Sequence, residues 1–144
     1  MLRIALDANT IISGLFFDGN ERQLLVAGLS GKYHLVLSQD ILEEVEAVVA
    51  RKFSGDRDLD SALAFLYDIA MSSEFHQGAC APKDVRSAVR MVRDAEDAIH
   101  YAFVLASRPD YFVTGDGDFL SLVKIGKAPV VTTRKALGMI REGR

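Results

Sequence analysis

The stretch LRIALDANTIISGLFF, residues 2–17, combines a short apolar strand with an apolar helix. The run Leu2–Leu6 is too short for a helix and predicts a buried strand. Asp7 follows it directly, Asn9–Phe17 predicts a helix, and Asp18-Gly19-Asn20 predicts the turn that ends it. The chain is therefore expected to open with one strand–helix unit that carries a carboxylate at the junction.

The same alternation continues along the rest of the chain. Further strands are predicted at Tyr33–Leu37, Glu74–His76, Asp110–Thr114 and Ala128–Thr132. Further helices are predicted at Glu21–Leu29, at Leu59–Ala70 and from Pro82 to about Val92. Another begins at a Ser38 or Asp40 cap and contains Ile41 and Val49, and one begins after an Asp94 cap. The last, at the C-terminal end, contains Ile140. Short apolar strands that alternate with helices favour a three-layer α/β/α fold with a short parallel sheet of about four or five strands. A length of 144 residues favours a single domain over residues 1–144.

Composition and charge limit the classes of function. Apolar residues make up 49% of the chain and charged residues 26%, which is ordinary for a globular protein. The formal net charge of −3 excludes a protein that holds nucleic acid mainly through bulk positive charge. The single cysteine, Cys80, excludes an internal disulfide and a CxxC zinc site, and it favours a cytoplasmic location. Because no run approaches the ~20 apolar residues of a membrane span, we expect no membrane insertion.

Carboxylates follow two of the predicted strands. Asp7 comes after the first strand, and Asp116 and Asp118 come after the fourth. In a parallel sheet all three would lie at the carboxyl edge, where such sheets bind their ligands. Glu44 and Asp97 lie near the starts of predicted helices that leave or approach the same edge. The sequence therefore predicts that carboxylates from separate segments meet in one cavity.

A cluster of this kind has a definite chemistry. Two carboxylates ~4 Å apart repel each other by about 4 kcal/mol at an effective dielectric constant of ~20, so the cluster either takes up protons or binds a cation. Hard divalent ions such as Mg²⁺ and Mn²⁺ prefer oxygen ligands. Ions held in this way promote the hydrolysis of phosphodiesters. A cation would thus let a chain of net negative charge act on a nucleic acid.

Five segments of the chain, in order, resemble the PIN domain family. They are DANT at 7–10, SQDILEE at 38–44, RDAEDAIHYAFVLA at 93–106, VTGDGDFL at 113–120 and VVTTRKAL at 130–137. The resemblance covers essentially the whole chain and is strongest to the small prokaryotic PIN proteins described as VapC-type toxins. It implies a metal-dependent endoribonuclease that uses Mg²⁺ or Mn²⁺, forms a homodimer and is blocked by an antitoxin protein.

The resemblance also implies roles for individual residues. The catalytic carboxylates would be Asp7, Glu44, Asp97 and Asp116, and the metal ligands would be Asp7, Asp97, Asp116 and Asp118. Asn9 and Thr114 would orient the carboxylates or a bound water. The adjacent pair Glu43-Glu44 leaves the helical glutamate open, and the spacing from Ser38 favours Glu44.

A basic stripe precedes the Asp97 segment. It consists of Lys83, Arg86, Arg90 and Arg93, at spacings typical of one helix face. One hypothesis is that the stripe holds the RNA backbone. The alternative is a solvated face opposite an apolar side formed by Val85, Val89 and Val92.

Several neighbouring side chains are interpreted as structural. Asp94 is predicted to cap the helix that contains Asp97. Tyr101 and Phe103 are predicted to be core residues, and the histidines His34, His76 and His100 are interpreted as structural or surface residues because they show no ligand spacing.

Two other classes of function remain open. A carboxylate cluster at a sheet edge also suits aspartyl-phosphate phosphatases and receiver domains. Against the phosphatase, Asp7-Ala8-Asn9 lacks the second aspartate of a D-x-D motif. Against the receiver, the phosphorylatable aspartate and the lysine expected after particular strands are not found. The second class is a catalytically inert PIN-like module that binds RNA or protein.

Overall fold

The computed structural model of the protein describes residues 1–143, which form six strands and eight helices. The strands are β1 (Arg3–Leu6), β2 (His34–Ser38), β3 (Glu74–His76), β4 (Tyr111–Val113), β5 (Lys124–Ile125) and β6 (Ala128–Val131). The helices are α1 (Ala8–Phe16), α2 (Asn20–Leu29), α3 (Gln39–Lys52), α4 (Leu59–Ser72), α5 (Pro82–Met91), α6 (Ala95–Ser107), α7 (Gly117–Leu120) and α8 (Thr133–Arg141). In this part of the chain, no helix has the length and apolar character needed to cross a membrane.

The strands form one sheet in the order β3-β2-β1-β4-β6-β5, and the first five of these are parallel. The predicted α/β fold with a parallel sheet flanked by helices is confirmed. The chain extends the sheet from β1 through β2 to β3 on one side and then returns to place β4 on the other. The switch point therefore lies between β1 and β4, where Leu6 pairs with Val113. Ligand sites of open parallel sheets lie at such points, beyond the carboxyl ends of the strands.

The predicted number of about four or five strands was too low, because the edge strand β5 was missed. It pairs antiparallel with β6 through a two-residue loop, Gly126-Lys127, in which Gly126 has a φ of +62°. Glycine adopts this conformation readily, as hairpin turns require. A two-residue strand has no detectable period, which is why the sequence did not indicate it.

The apolar core lies on both faces of the sheet. Ile4, Ala5 and Leu6 of β1 are fully buried, as expected for a central parallel strand. Gly14 allows α1 and α2 to approach closely, since a Cβ atom built there would lie 2.4 Å from a side-chain carbon of Leu25. This contact packs the second turn of α2 against the C-terminal half of α1.

Helix α5 differs from its sequence prediction in two respects. Its regular part ends at Met91, because Val92 is extended (φ −132°, ψ 142°), so Arg93 does not share a helix face with the other basic residues. The expected apolar side is also largely exposed, with Val85 at 44% and Val89 at 60%. The helix instead buries the small side chain of Ala88, so Val85 and Val89 remain exposed.

Candidate active site

Asp7 lies at the centre of the switch point. It is only 6% exposed, and its backbone N–H donates to the carbonyl of Val113 on the neighbouring strand. Its Oδ1 accepts a 2.8 Å hydrogen bond from the Thr10 backbone, which caps α1. Its Oδ2 accepts a hydrogen bond from the hydroxyl of Thr114. Asp7 thus caps α1 through one oxygen while its carboxylate stays at the sheet edge.

Thr114 connects Asp7 to Asp116. Its side chain is fully buried, and its hydroxyl donates to Asp7 while accepting a 3.0 Å hydrogen bond from the Asp116 backbone N–H. Asp116 in turn caps α7, with Oδ1 2.8 Å from the Asp118 backbone nitrogen. One buried hydroxyl therefore joins the Asp7 carboxylate to the backbone of Asp116.

Glu44 reaches the same region from α3. The hydroxyl of Ser38 caps this helix by accepting a 3.1 Å hydrogen bond from Ile41, as the sequence predicted. One turn later, Glu44 Oε2 lies 2.7 Å from His100 Nε2. Glu43 is exposed and pairs with Gln39 on the outer face of the helix. Of the two adjacent glutamates, Glu44 is the one that faces the site.

His100 was not singled out from the sequence as a site residue, and the structure places it in the site. Its side chain is 7% exposed, and its Nδ1 atom has no hydrogen-bond partner among the described residues. The signal that could have identified it is its position three residues after Asp97, on the same face of α6. The absence of a metal-ligand spacing does not exclude His100 from the site, because its imidazole contacts the carboxylate of Glu44.

The Glu44–His100 pair changes the protonation of both groups. The hydrogen bond from His100 lowers the pKa of Glu44 and outweighs the opposing effect of burial. Burial lowers the pKa of His100, but the hydrogen bond and charge of Glu44, with the charges of Asp7 and Asp97, raise it above its usual value. The acidic surroundings therefore favour an imidazolium paired with a carboxylate.

Asp97 projects from the first turn of α6. The carboxylate of Asp94 caps this helix, as predicted, by accepting hydrogen bonds of 2.9 Å from the Glu96 backbone and 3.1 Å from the Asp97 backbone. The Asp97 carboxylate itself has no hydrogen bond within residues 1–143. Its pKa is raised by burial and then by the negative charges of Asp94 and Asp116. Burial and the neighbouring carboxylates thus outweigh the favourable charge of His100 at Asp97.

These side chains surround a small cavity of about 60 Å³. Its polar lining consists of Asp7, Asn9, Glu44, Asp97, His100 and Asp116. The structure therefore brings together the four predicted catalytic carboxylates. Asp118 does not line the cavity and is exposed, although its charge contributes to the raised pKa of Asp97. The role of Asp118 as a metal ligand stays a prediction.

The basic stripe lies outside this cavity. Lys83, Arg86 and Arg90 are exposed on α5, and none of them forms an ion pair with another described residue. They lie on the helix that directly precedes the Asp94 cap.

The donor set fits a hard divalent cation, although the carboxylates are engaged elsewhere. Within residues 1–143, no group of three or more Asp, Glu, His or Cys side chains is arranged to hold a metal ion as it stands. The contacts above explain this, because Asp7, Glu44 and Asp116 each accept a hydrogen bond from within the protein. Four carboxylates face one imidazole, and oxygen donors suit Mg²⁺ or Mn²⁺. A cation would offset both the burial and the repulsion by neighbouring carboxylates that raise the pKa of Asp97.

The two cavities of largest volume lie away from this edge and have a different character. One of about 550 Å³ lies at the opposite edge of the sheet, between Arg108 and the β5–β6 hairpin. Another of about 560 Å³ lies between α1, α2 and α4. The first is lined by one carboxylate and the second by two, so neither offers the concentration of acids found beside Asp7.

Comparisons with known proteins agree with this fold. A family model described as PIN domain matches residues 3–118. The crystal structure of PAE2754 from Pyrobaculum aerophilum is similar, with a TM-score of 0.72 and 15% identity over 98% of this chain and 90% of that chain. VapBC2 from Rickettsia felis, solved bound to a DNA fragment from its promoter, has a TM-score of 0.64 and 11% identity over 91% of this chain and 98% of that chain. No curated protein matches the sequence. At these identities the two structures show a shared fold.

Proposed function

Because this chain belongs to the PIN domain family, whose members are generally nucleases, we propose that it is a metal-dependent endoribonuclease that hydrolyses RNA phosphodiester bonds. The observation that carries the proposal is the convergence of Asp7, Glu44, Asp97 and Asp116 on one cavity at the switch point of the sheet. These residues come from four separate segments, so packing alone does not account for their meeting. Carboxylates gathered in this way repel one another and suit a cation that binds phosphate.

The chain's own residues would hold and orient the ion. Asp7, Asp97 and Asp116, which line the cavity, are the proposed ligands of Mg²⁺ or Mn²⁺, and Asp118 beside them is a further one. When bound, such an ion polarises the phosphate, lowers the pKa of water and stabilises the leaving oxygen. Thr114 holds the Asp7 carboxylate beside the backbone of Asp116. His100 holds a proton against Glu44 and keeps that carboxylate turned towards the cavity.

Binding of the RNA backbone is assigned to α5. Lys83, Arg86 and Arg90 are exposed and have no ion-pair partners in the described part of the chain, so their charges are available to phosphates. The helix leads directly into the cap of α6, which carries Asp97. A local patch of this kind can hold a nucleic acid although the net charge of the chain is −3.

We propose the biological setting from the similarity of this chain to known proteins. The similar structure from Rickettsia felis is a VapBC2 complex, and the sequence motifs resemble VapC-type toxins. The protein would accordingly be the toxin component of a type II toxin–antitoxin pair, would act as a homodimer in the cytoplasm, and would be inhibited by an antitoxin protein. The single cysteine agrees with a reducing compartment.

The proposal is tested by incubating a labelled mixed RNA pool with the wild type and with Asp97→Asn, in Mn²⁺ or Mg²⁺. Asp68→Asn is the matched control, because Asp68 is an exposed acid on α4 that does not line the cavity. We expect cleavage by the wild type and the control, a loss of cleavage in Asp97→Asn, and complete inhibition by EDTA. Equal cleavage by all three proteins would contradict the site assignment. RNA binding without cleavage, unaffected by EDTA, would identify an inert binding module.

A further inference from the structure

A second cavity adjoins the candidate active site. Its volume is about 320 Å³, and it shares Asp7, Asn9 and Asp116 with the carboxylate cavity. Its lining also includes Ser13 and Glu21. This volume falls within the range of roughly 300–1,000 Å³ that is typical of small-molecule sites. A group attached to a phosphate at the carboxylates could therefore enter this cavity without leaving the site.

Two helices form the walls of the second cavity. Asn9 and Ser13 are four residues apart on α1 and so share one face of that helix. Glu21 comes from the first turn of α2 on the opposite side. The absence of a side chain at Gly14 lets the two helices meet, since a Cβ atom there would lie 3.0 Å from the Glu21 carbonyl. The wall that carries Glu21 is therefore fixed by backbone packing.

The polar groups of this lining are available to a ligand. The side chains of Asn9, Ser13 and Glu21 make no hydrogen bond to any residue in the described range 1–143. Ser13 and Glu21 are half-buried. Other polar side chains at this edge, such as Thr114 and His100, are engaged with neighbouring carboxylates. The second cavity thus offers a carboxylate, an amide and a hydroxyl beside the proposed cleavage centre.

The geometry points to a base-recognition subsite that reads guanine next to the bond to be cleaved. On its Watson–Crick edge, guanine presents two adjacent donors, N1–H and the N2 amine, which can bind both oxygens of one carboxylate. Adenine, cytosine and uracil each present a single donor group on that edge. The Asn9 amide and the Ser13 hydroxyl can donate to guanine O6. This inference rests on the proposed function, because it names the nucleotide that the nuclease would hold beside its carboxylates.

Selective binding can be measured without cleavage. Guanosine, adenosine, cytidine and uridine 5′-monophosphates are titrated in Mg²⁺ into the ¹⁵N-labelled wild type, Glu21→Gln and the Asp68→Asn control, with amide shifts recorded by NMR. We expect guanosine monophosphate to shift the amides of Asn9, Ser13 and Glu21 and to bind about tenfold more tightly than the others, as for one bidentate base contact. Glu21→Gln should lose this preference, and the control should keep it. Equal affinities, or shifts confined to other regions, would overturn the inference.

Cleavage of a randomised RNA pool, read by sequencing, separates this inference from the proposed function. We expect wild-type cuts to be enriched for guanine at one fixed position beside the cut, and Ser13→Ala and Glu21→Gln to reduce that enrichment. Cleavage with no base preference would refute the subsite and leave the nuclease standing. Selective binding of guanosine monophosphate with no cleavage of any RNA would refute the nuclease and leave the subsite standing. A Glu21→Gln variant with weaker Mg²⁺ affinity and an unchanged base preference would show a cation ligand and overturn the inference.

Discussion

Replacing His100 should expose how strongly the candidate site depends on its one imidazole. His100→Leu removes the donor that lies 2.7 Å from Glu44 and leaves that carboxylate without its partner. Breaking a fully buried ion pair costs about 3–5 kcal/mol, whereas an exposed pair contributes about 0–1 kcal/mol. The Glu44 side chain is 25% exposed, and His100 Nδ1 is already unpaired, so part of the stabilisation is offset in the native protein. We therefore expect a loss of about 2 kcal/mol in the free energy of unfolding.

The pKa shifts fix the pH range of this effect. The pKa of His100 is raised, so its contribution is fully present below its unfolded value of 6.5 and is lost as pH rises through the higher folded value. The pKa of Glu44 is lowered, so its contribution is present above 4.5 and is lost as pH falls. The coupling between the two residues should therefore be largest between these values and should decrease at alkaline pH.

Urea denaturation in EDTA, at pH 5.5 and pH 9, measures this coupling without competition from metal. The set comprises the wild type, His100→Leu, Glu44→Gln and the double variant, from which a double-mutant cycle isolates the pair. At a urea dependence of about 2 kcal/mol/M, His100→Leu should lower the midpoint by about 1 M. A coupling below about 0.5 kcal/mol at pH 5.5, or a larger coupling at pH 9, would refute the reasoning.

Three further predictions concern other parts of the molecule. Thr114→Val should lower stability by about 1–3 kcal/mol in urea denaturation because it removes a buried donor to Asp7, and Thr114→Ser should restore most of the loss. Gly14→Ala should cost about 1 kcal/mol in the same assay, since the new Cβ would clash with α2, and an unchanged midpoint would contradict the close approach. The double variant Arg86→Glu/Arg90→Glu should weaken RNA binding and reduce the salt slope by about 1.4, whereas an unchanged slope would remove α5 from the RNA interface.

The position of the candidate site could be predicted from sequence because it depends on strand direction. Once the strands are taken as parallel, Asp7 and Asp116 must lie at one edge, whatever the details of the helices. Helix capping supported the placement of Asp97, since Asp94 uses the capping position and leaves Asp97 free. These inferences needed only local patterns and one rule of topology.

The features that were missed depend on tertiary contacts. The partnership of His100 with Glu44 joins residues 56 positions apart, so no local pattern contains it. The exposure of Val85 and Val89 follows from the choice of Ala88 as the packing contact, which periodicity does not reveal. The outward position of Asp118 follows from the short helix α7, whose four residues are too few to show a helical period.

The most direct test of the account is an anomalous-scattering map from crystals of the protein soaked with Mn²⁺. We expect a Mn²⁺ peak at the carboxylate cavity, within coordination distance of Asp7, Asp97 and Asp116, and its disappearance in crystals of Asp97→Asn. A peak that persists in that variant, or Mn²⁺ bound only at sites away from this edge of the sheet, would contradict the claim that these carboxylates form a metal-dependent active site.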